Sequence, residues 1–165
     1  MDPFTITHAK FPQDLDDITV LFKEYTQWLD IDLAFQDFAT ELTTLPGRYG
    51  PPQGSLLLAR HNGTGAAIGC VGLRPLGSNG ICEMKRLYVQ PTGRGLGVGK
   101  ALAAAVITEA KKLDYIAMRL DTLPTMHSAR ALYKSLGFAE ISPYYDTPIE
   151  DTVFLELSLN AATAT

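Results

Sequence analysis

The stretch GRGLGVGK, residues 93–100, carries glycine at every second position and is the segment best suited to bind a ligand. Glycine lets a backbone turn through positive φ or approach a ligand closely, and elsewhere it costs conformational entropy. A strand pattern precedes this stretch and a helical pattern follows it. Free amide N–H groups and the positive end of a helix dipole then meet at one place, which favours an anion such as phosphate. The guanidinium of Arg94 could add hydrogen bonds to phosphate oxygens.

Two common phosphate-binding motifs do not fit this loop. A P-loop ending at Gly99-Lys100 would need glycine where Arg94 stands and a hydroxyl where the chain has Ala101. A Rossmann fingerprint fails as well, because Lys100 or Leu102 stands where its third glycine belongs. A turn without any ligand accounts poorly for so many glycines. The sequence therefore predicts a pyrophosphate held mainly by backbone amides, without a metal.

The elements that position this loop follow one another along the chain with short links. Hydrophobic periodicity and turn residues predict the order β-α-α-β-β-β-α-β-α-β-β. Strands are predicted at 4–8, 55–60, 67–76, 81–89, 115–122, 138–141 and 152–159. Helices are predicted at 15–29, 35–45, 98–113 and 128–136, and residues 160–165 are predicted to be a frayed tail. No linker or repeat divides the chain, so residues 1–165 are predicted to form a single α/β domain.

Composition excludes several functional classes. The 165 residues are 46% hydrophobic and 19% charged, which is typical of a soluble globular protein. A net charge of -4 argues against a general nucleic-acid binder. The two cysteines are too few for a disulfide scaffold, and the three histidines share no metal-ligand spacing. Without the pattern of a signal peptide or a membrane span, we expect a cytoplasmic protein with no membrane partner and no metal.

Two motifs together resemble the GNAT N-acetyltransferase superfamily. The segment VQPTGRGLGVGKAL resembles that family's acyl-CoA loop, whose core Arg/Gln-x-x-Gly-x-Gly/Ala is matched by Arg94, Gly97 and Gly99. The segment ALYKSLGF at 131–138, with Ala129 before it, is similar to the family's second landmark. The predicted element order also agrees with the family. The resemblance implies a mixed sheet of about six to seven strands, about four helices, and a splayed strand pair that holds CoA.

The resemblance further implies acetyl-CoA as the co-substrate and a set of residues that bind it. Amides of residues 95–100 would cradle the pyrophosphate, and pantetheine would pair with the β-strand backbone like an added strand. The implied cofactor-binding residues are Leu87, Tyr88, Val89, Arg94, Gly95, Leu96, Gly97, Val98, Gly99 and Lys100. Many family members bind pantetheine with an asparagine that is Met126 in this chain. We expect that contact to be either lost or replaced by one from His127 or Ser128.

A base is needed because an acceptor amine with a pKa of about 10 arrives mostly as ammonium and cannot attack. Glu83 stands six residues before Val89, where some family members carry their base. The alternative is a solvated edge carboxylate, or one that pairs with Lys85 or Arg86. Asp121 on the neighbouring strand is the next candidate.

An acid is needed because the departing CoA thiolate takes up a proton. Tyr133 matches the tyrosine that faces the thiolate in the family, and the alternative is a core aromatic on a helix stripe. A nucleophilic pair of Cys82 and His127 would support a two-step transfer instead. A buried strand cysteine explains Cys82 more simply.

The acceptor site is expected where the first two helices join and where a late loop faces them. The aromatic and acidic residues there are Trp28, Asp30, Asp32, Phe35, Tyr144 and Tyr145. The alternative for the aromatic residues is a role in packing. We expect direct transfer to the primary amine of a small or amino-acid-like molecule, by a monomer or homodimer. Transfer to a protein lysine or N-terminus is an alternative. A non-catalytic acyl-CoA sensor is another.

Overall fold

A single mixed sheet organises the chain. The computed structural model describes residues 2–159, and its seven strands lie side by side in the order β1-β2-β3-β4-β5-β7-β6. The strands are β1 Phe4–His8, β2 Ser55–His61, β3 Ala67–Pro75, β4 Ile81–Val89, β5 Ala117–Thr122, β6 Ala139–Ile141 and β7 Val153–Ser158. All neighbouring strands run antiparallel except β4 and β5, which run parallel. The predicted α/β fold and its element order are confirmed. The predicted tail at 160–165 lies outside the described residues.

Four α-helices accompany the sheet: α1 Leu15–Leu29, α2 Phe38–Thr43, α3 Val98–Lys112 and α4 His127–Ser135. The helix predicted at 35–45 is the main difference from expectation. Asp32 accepts a hydrogen bond from the amide of Ala34, which starts a 3₁₀ turn at Leu33–Gln36. Asp37 then adopts a left-handed conformation with φ 57°, and α2 begins only after it. No helix within residues 2–159 is long and apolar enough to cross a membrane.

Two apolar clusters cover opposite faces of the sheet, because successive side chains on a strand point to opposite sides. Leu57 of β2 and Met84 of β4 belong to the cluster that contains Leu102 of α3. Leu58 of β2 belongs to the other cluster, which contains Phe22 of α1. In β4, therefore, Met84 faces α3, while the polar side chains before and after it face the side of α1 and α2.

The strands β4 and β5 separate after a short contact. They pair over only three positions, Ile81–Glu83 of β4 with Ala117–Arg119 of β5. Beyond Glu83 and Arg119 the remaining residues of the two strands have no register partners in each other. This is the splayed pair that the resemblance implied, and it opens the middle of the sheet.

A bulge in β4 accompanies this separation. Cys70 pairs with Tyr88 and Gly72 pairs with Lys85, so β4 has an extra residue between these pairs. Arg86 lies within the bulge and has φ 61°, which is unusual for a residue other than glycine. Its guanidinium donates to both carboxylate oxygens of Glu41 in α2, at 2.9 and 3.0 Å. This bidentate ion pair holds the bulge against α2.

Packing of α3 on the sheet generates a stability prediction. Leu102 is fully buried, so Leu102→Ala should lower the free energy of unfolding by about 2–5 kcal/mol through lost burial and a cavity. Val20→Ala on α1, where the side chain is 50% exposed, should change it by less than about 1 kcal/mol. Urea unfolding followed by circular dichroism measures both. Equal effects of the two substitutions would mean that α3 does not pack as described.

Candidate active site

A cavity of about 540 Å³ lies where β4 and β5 separate. One wall is the far half of β4 together with the glycine loop, and the opposite wall is the end of β5 with α4. The end of α1, the 3₁₀ turn and a late loop that contains Tyr145 and Ile149 enclose the remainder. One cavity therefore adjoins both the glycine loop and the side of the sheet on which α1 and α2 pack.

The glycine loop presents unpaired amides to this cavity. Gly95 and Gly97 have φ 84° and 83°. Residues other than Gly, Asn and Asp rarely adopt this left-handed backbone conformation. A Cβ atom at either glycine would meet no atom within 4 Å. The backbone N–H groups of residues 95–100 have no hydrogen-bond acceptor among residues 2–159. They lie at the start of α3, where the helix dipole adds positive potential, and they suit a pyrophosphate group.

Most predicted cofactor-binding residues line the cavity, and two do not. Leu87, Tyr88, Val89, Arg94, Gly95, Gly97, Val98 and Gly99 line it. The side chains of Leu96 and Lys100 are exposed and do not line it, although their amides belong to the unpaired set. Met126, which stands where the family carries asparagine, lines the cavity with Ser128, and His127 does not. Of the two expected substitutes, Ser128 thus has the suitable position.

Arg94 lies across the edge of β4 where a pantetheine chain is expected. Its Nε donates to the carbonyl of Val89 at 3.3 Å. Its guanidinium also lies over the Trp28 ring, 5.7 Å from the ring centroid. A ligand that pairs with Val89 as an added strand would take over this carbonyl and release the guanidinium toward phosphate oxygens.

Tyr133 has structural features of both alternatives that the sequence leaves open. It is buried in the cluster on the α3 side of the sheet, with its ring 5.7 Å from that of Phe138 in an edge-to-face contact. It also lines the cavity, and its hydroxyl has no hydrogen-bond partner among residues 2–159. Burial raises the pKa of Tyr133, so the phenol keeps its proton at neutral pH.

Glu83 belongs to a row of alternating charges that crosses the sheet. Arg74 of β3, Glu83 of β4, Arg119 of β5 and Glu156 of β7 are successive register partners. Arg74 Nε donates to Glu83 Oε1 at 2.9 Å, and Arg119 Nε donates to Glu156 Oε2 at 2.7 Å. The alternative partners predicted from the sequence were Lys85 and Arg86. The residue in contact is Arg74, which is opposite Glu83 on the antiparallel strand.

The surroundings of Glu83 keep its carboxylate ionised. The side chain is 2% exposed and is not among the residues that line the cavity. Burial would raise its pKa, but the charges of Lys85 and Arg74 and a 2.7 Å hydrogen bond from the Tyr144 hydroxyl outweigh burial and hold the pKa below its ordinary value. A carboxylate with a lowered pKa is a weaker base.

Lys85 and Asp121 line the cavity where the two strands part. The Lys85 Nζ lies 3.9 Å from Asp121 Oδ1 and donates to Gln36 Oε1 at 3.1 Å. The Tyr145 hydroxyl donates to Asp121 Oδ2. Burial lowers the pKa of Lys85, and the charges of Asp121 and Glu83 partly offset this effect. Sequence reasoning named Asp121 only as a reserve base and gave Lys85 and Gln36 no role in the cavity.

The acceptor residues expected from the sequence divide into two groups. Trp28, Phe35 and Tyr145 line the cavity. Asp30 and Asp32 do not line it: Asp30 ends α1 and Asp32 begins the 3₁₀ turn. Tyr144 reaches Glu83 instead. The joint of the first two helices thus contributes aromatic surface to this cavity, while its acidic residues have structural positions.

Comparison with known proteins identifies the family. Residues 15–138 match the sequence profile of the Acetyltransferase (GNAT) family. The chain belongs to the GNAT acetyltransferase family. It is therefore an acetyl-CoA-dependent N-acetyltransferase, and the cavity between β4 and β5 is its candidate active site.

Individual relatives agree with this assignment. An uncharacterised N-acetyltransferase of Schizosaccharomyces pombe is 46% identical over 156 residues, covering 94% of this chain and 95% of its own. The N-acetylaspartate synthetase of Danio rerio is 30% identical over 116 residues, 69% of this chain and 41% of its own. A Salmonella typhimurium protein solved with its cofactor acetyl-CoA superposes with a TM-score of 0.70 at 22% identity, covering 97% of this GNAT chain and 96% of its own.

The unpaired amides of the glycine loop generate a prediction for acetyl-CoA binding. Gly97→Asp should abolish binding, because a carboxylate would project beside the expected pyrophosphate. Gly97→Asn is the matched control, since Asn has nearly the same size and also tolerates the left-handed conformation of Gly97. It should retain measurable affinity. Isothermal titration calorimetry without magnesium checks both variants, and an equal loss in both would show that charge is not the cause.

Proposed function

We propose that this enzyme transfers the acetyl group of acetyl-CoA directly to the primary amine of a small, amino-acid-like acceptor. One observation carries the proposal: the unpaired amides of residues 95–100 and the charged pair Lys85–Asp121 adjoin the same cavity. A donor and an amine bound at these two places would meet between β4 and β5. The N-acetylaspartate synthetase of Danio rerio, whose name denotes an acetylated amino acid, supports an acceptor of this kind.

The positions of the cysteines support direct transfer rather than a two-step reaction. Neither Cys70 nor Cys82 lines the cavity. Burial raises the pKa of Cys82 to about 12, and its Sγ lies 3.5 Å from the carbonyl of Ala117. A thiol that stays protonated and does not line the cavity is a poor nucleophile for a molecule bound there. The amine itself would then attack the thioester.

Tyr133 is proposed as the acid that protonates the departing thiolate. Tyr133 lines the cavity, and its hydroxyl keeps its proton at neutral pH and has no competing partner among residues 2–159. A phenol in this state can donate a hydrogen bond as negative charge develops on sulfur and then transfer its proton.

Two carboxylates are candidates for the base. Glu83 has the position that the resemblance assigns, but Arg74 and Tyr144 occupy its oxygens and it does not line the cavity. Asp121 lines the cavity, and its Oδ1 has no donor within hydrogen-bond distance in the described structure. We place Asp121 before Glu83 for this reason. Glu83 would act on the amine only through an intervening water molecule.

The function is tested by incubating the protein with acetyl-CoA and a panel of amines, with detection of free thiol and of acetylated product. The panel contains free amino acids, simple amines and peptides with a free N-terminus or lysine. Release of CoA that depends on an amine is expected. Binding of acetyl-CoA without transfer to any amine would instead indicate a sensor, and transfer to peptides alone would indicate a protein acetyltransferase.

The role of Tyr133 generates a prediction about turnover. Tyr133→Phe keeps the ring packed on Phe138 but removes the proton donor, so kcat should fall about 10- to 100-fold, while acetyl-CoA affinity stays nearly constant. Tyr115→Phe is the control, because it removes a hydroxyl that bonds the Gln53 carbonyl away from the cavity. Its kcat should be that of the wild type. If chemistry limits the rate and Tyr133→Phe leaves kcat unchanged, Tyr133 is not the acid and contributes only to packing.

The two carboxylates generate a prediction about pH. Asp121→Asn should lower kcat/KM about 10²- to 10³-fold near neutral pH. The loss should shrink as pH rises toward the pKa of the amine, because solvent then supplies the free amine. Glu83→Gln should give a loss that does not change with pH, because it breaks the ion pair with Arg74. The opposite pattern in pH profiles of the two variants would assign the base to Glu83.

A further inference from the structure

The cations on the α1 side of the sheet differ in how fully they are paired. Arg86 donates to both oxygens of Glu41, and Arg74 donates to Glu83. Lys85 has no carboxylate within hydrogen-bond distance in the described part of the chain. Its nearest is Asp121 at 3.9 Å, and its one hydrogen bond goes to the neutral amide oxygen of Gln36.

Lys85 is thus a buried ammonium group with unused hydrogen-bonding capacity. Its side chain is 4% exposed, and an ammonium has three N–H donors, of which the described structure engages one. A buried charge that lacks full pairing is costly, so a partner is expected from outside the chain. Because Lys85 lines the cavity, that partner can be a bound molecule that carries an anion.

Asp121 has a carboxylate oxygen that lacks a hydrogen-bond donor in the described structure. Its Oδ2 accepts from Tyr145, while Oδ1 faces Lys85 from 3.9 Å, too far for a hydrogen bond. The geometry of the sheet explains this separation. Glu83 and Arg119 form the last register pair of β4 and β5, and Lys85 and Asp121 lie two residues further along on the same face. As the strands diverge there, this pair of opposite charges is drawn apart.

We infer that the acceptor is a zwitterionic α-amino acid, whose carboxylate is bound by Lys85 and whose ammonium group is bound by Asp121. This inference rests on the proposed function and specifies its substrate class. An α-amino acid carries its two charges on neighbouring groups. It can therefore bind between Lys85 and Asp121, with its carboxylate on Lys85 and its ammonium group on Asp121. A simple amine would leave Lys85 without a carboxylate at hydrogen-bond distance.

Charge balance in the surrounding network agrees with this class. The cations Arg74, Lys85 and Arg86 are matched by the anions Glu41, Glu83 and Asp121. A zwitterion adds no net charge to this buried set. A polyamine would add at least two positive charges, and an amide or peptide N-terminus would add one without supplying a carboxylate at hydrogen-bond distance from Lys85.

The reaction balances for this acceptor. The amine nitrogen forms a bond to the acetyl carbon, and the bond between that carbon and the CoA sulfur breaks. The ammonium group loses two protons overall, of which one ends on the thiolate and the other passes through the base to solvent. The carboxylate is unchanged and remains on Lys85 throughout.

The test compares free L-amino acids with their α-carboxamides as acceptors for the wild-type enzyme. The amides lack only the carboxylate, and their ammonium groups lose protons more easily, so intrinsic reactivity favours them. The enzyme should nevertheless prefer the acids by about 10- to 100-fold in kcat/KM, the value of a charge-assisted hydrogen bond. Equal or better turnover of the amides would overturn the inference and leave the proposed acetyltransferase function standing.

A substitution assigns the preference to Lys85. Lys85→Met keeps most of the aliphatic stem, and it should raise KM for the acids about 10- to 100-fold and reduce the acid-to-amide preference in kcat/KM by a similar factor. Lys85→Arg should restore part of the preference, and Lys111→Met on the exposed face of α3 should leave it intact. An equal loss for acids and amides in Lys85→Met would overturn the assignment. Absence of acetylation of every amine by the wild type would instead contradict the proposed function itself.

Discussion

The parting of β4 and β5 after three residue pairs is the constraint on which the rest of this structure depends. A parallel pair that continued would use the backbone groups of Leu87 and Val89 in sheet hydrogen bonds and would close the cavity. Because the pair stops at Glu83, the glycine loop at the end of β4 and the helix that follows β5 lie on opposite sides of one opening. The same separation leaves Lys85 and Asp121 facing each other at 3.9 Å, beyond hydrogen-bond distance.

An open sheet must be supported by contacts outside it. The bulge at Arg86 carries a strained φ of 61°, and the Glu41 carboxylate of α2 holds it through two hydrogen bonds. Loss of one partner of such a buried pair typically costs about 3–5 kcal/mol, because a charge is left without compensation. None of the residues of α2 is fully buried, but Phe38 and Leu42 pack against the apolar cluster on this side of the sheet, and Glu41 adds the ion pair. Stability and the shape of the site depend on the same ion pair.

The sequence predicted the parts of the molecule that local patterns determine. Alternating and helical periodicities predicted the element order, and the glycine spacing predicted a loop with unpaired amides, because both depend on residues close together in the chain. The split of the second helix at Asp37 was missed, since one left-handed residue leaves the apolar spacing unchanged. The partner of Glu83 was also missed. It is Arg74 on the neighbouring strand, and cross-strand register depends on the hairpin between β3 and β4 rather than on sequence proximity. Gln36 and Lys85 meet for the same reason only in the folded chain.

Hydrogen–deuterium exchange with and without acetyl-CoA tests the central claim, that the gap between β4 and β5 with its glycine loop is the acetyl-CoA site. The amides of residues 95–100 have no acceptor in the described structure and should exchange fast in the free enzyme. Acetyl-CoA should slow exchange in peptides that cover these residues and the end of β4, while the hairpin of β2 and β3 stays unchanged. Protection confined to another part of the chain, with residues 95–100 still exchanging fast at saturating acetyl-CoA, would contradict the account.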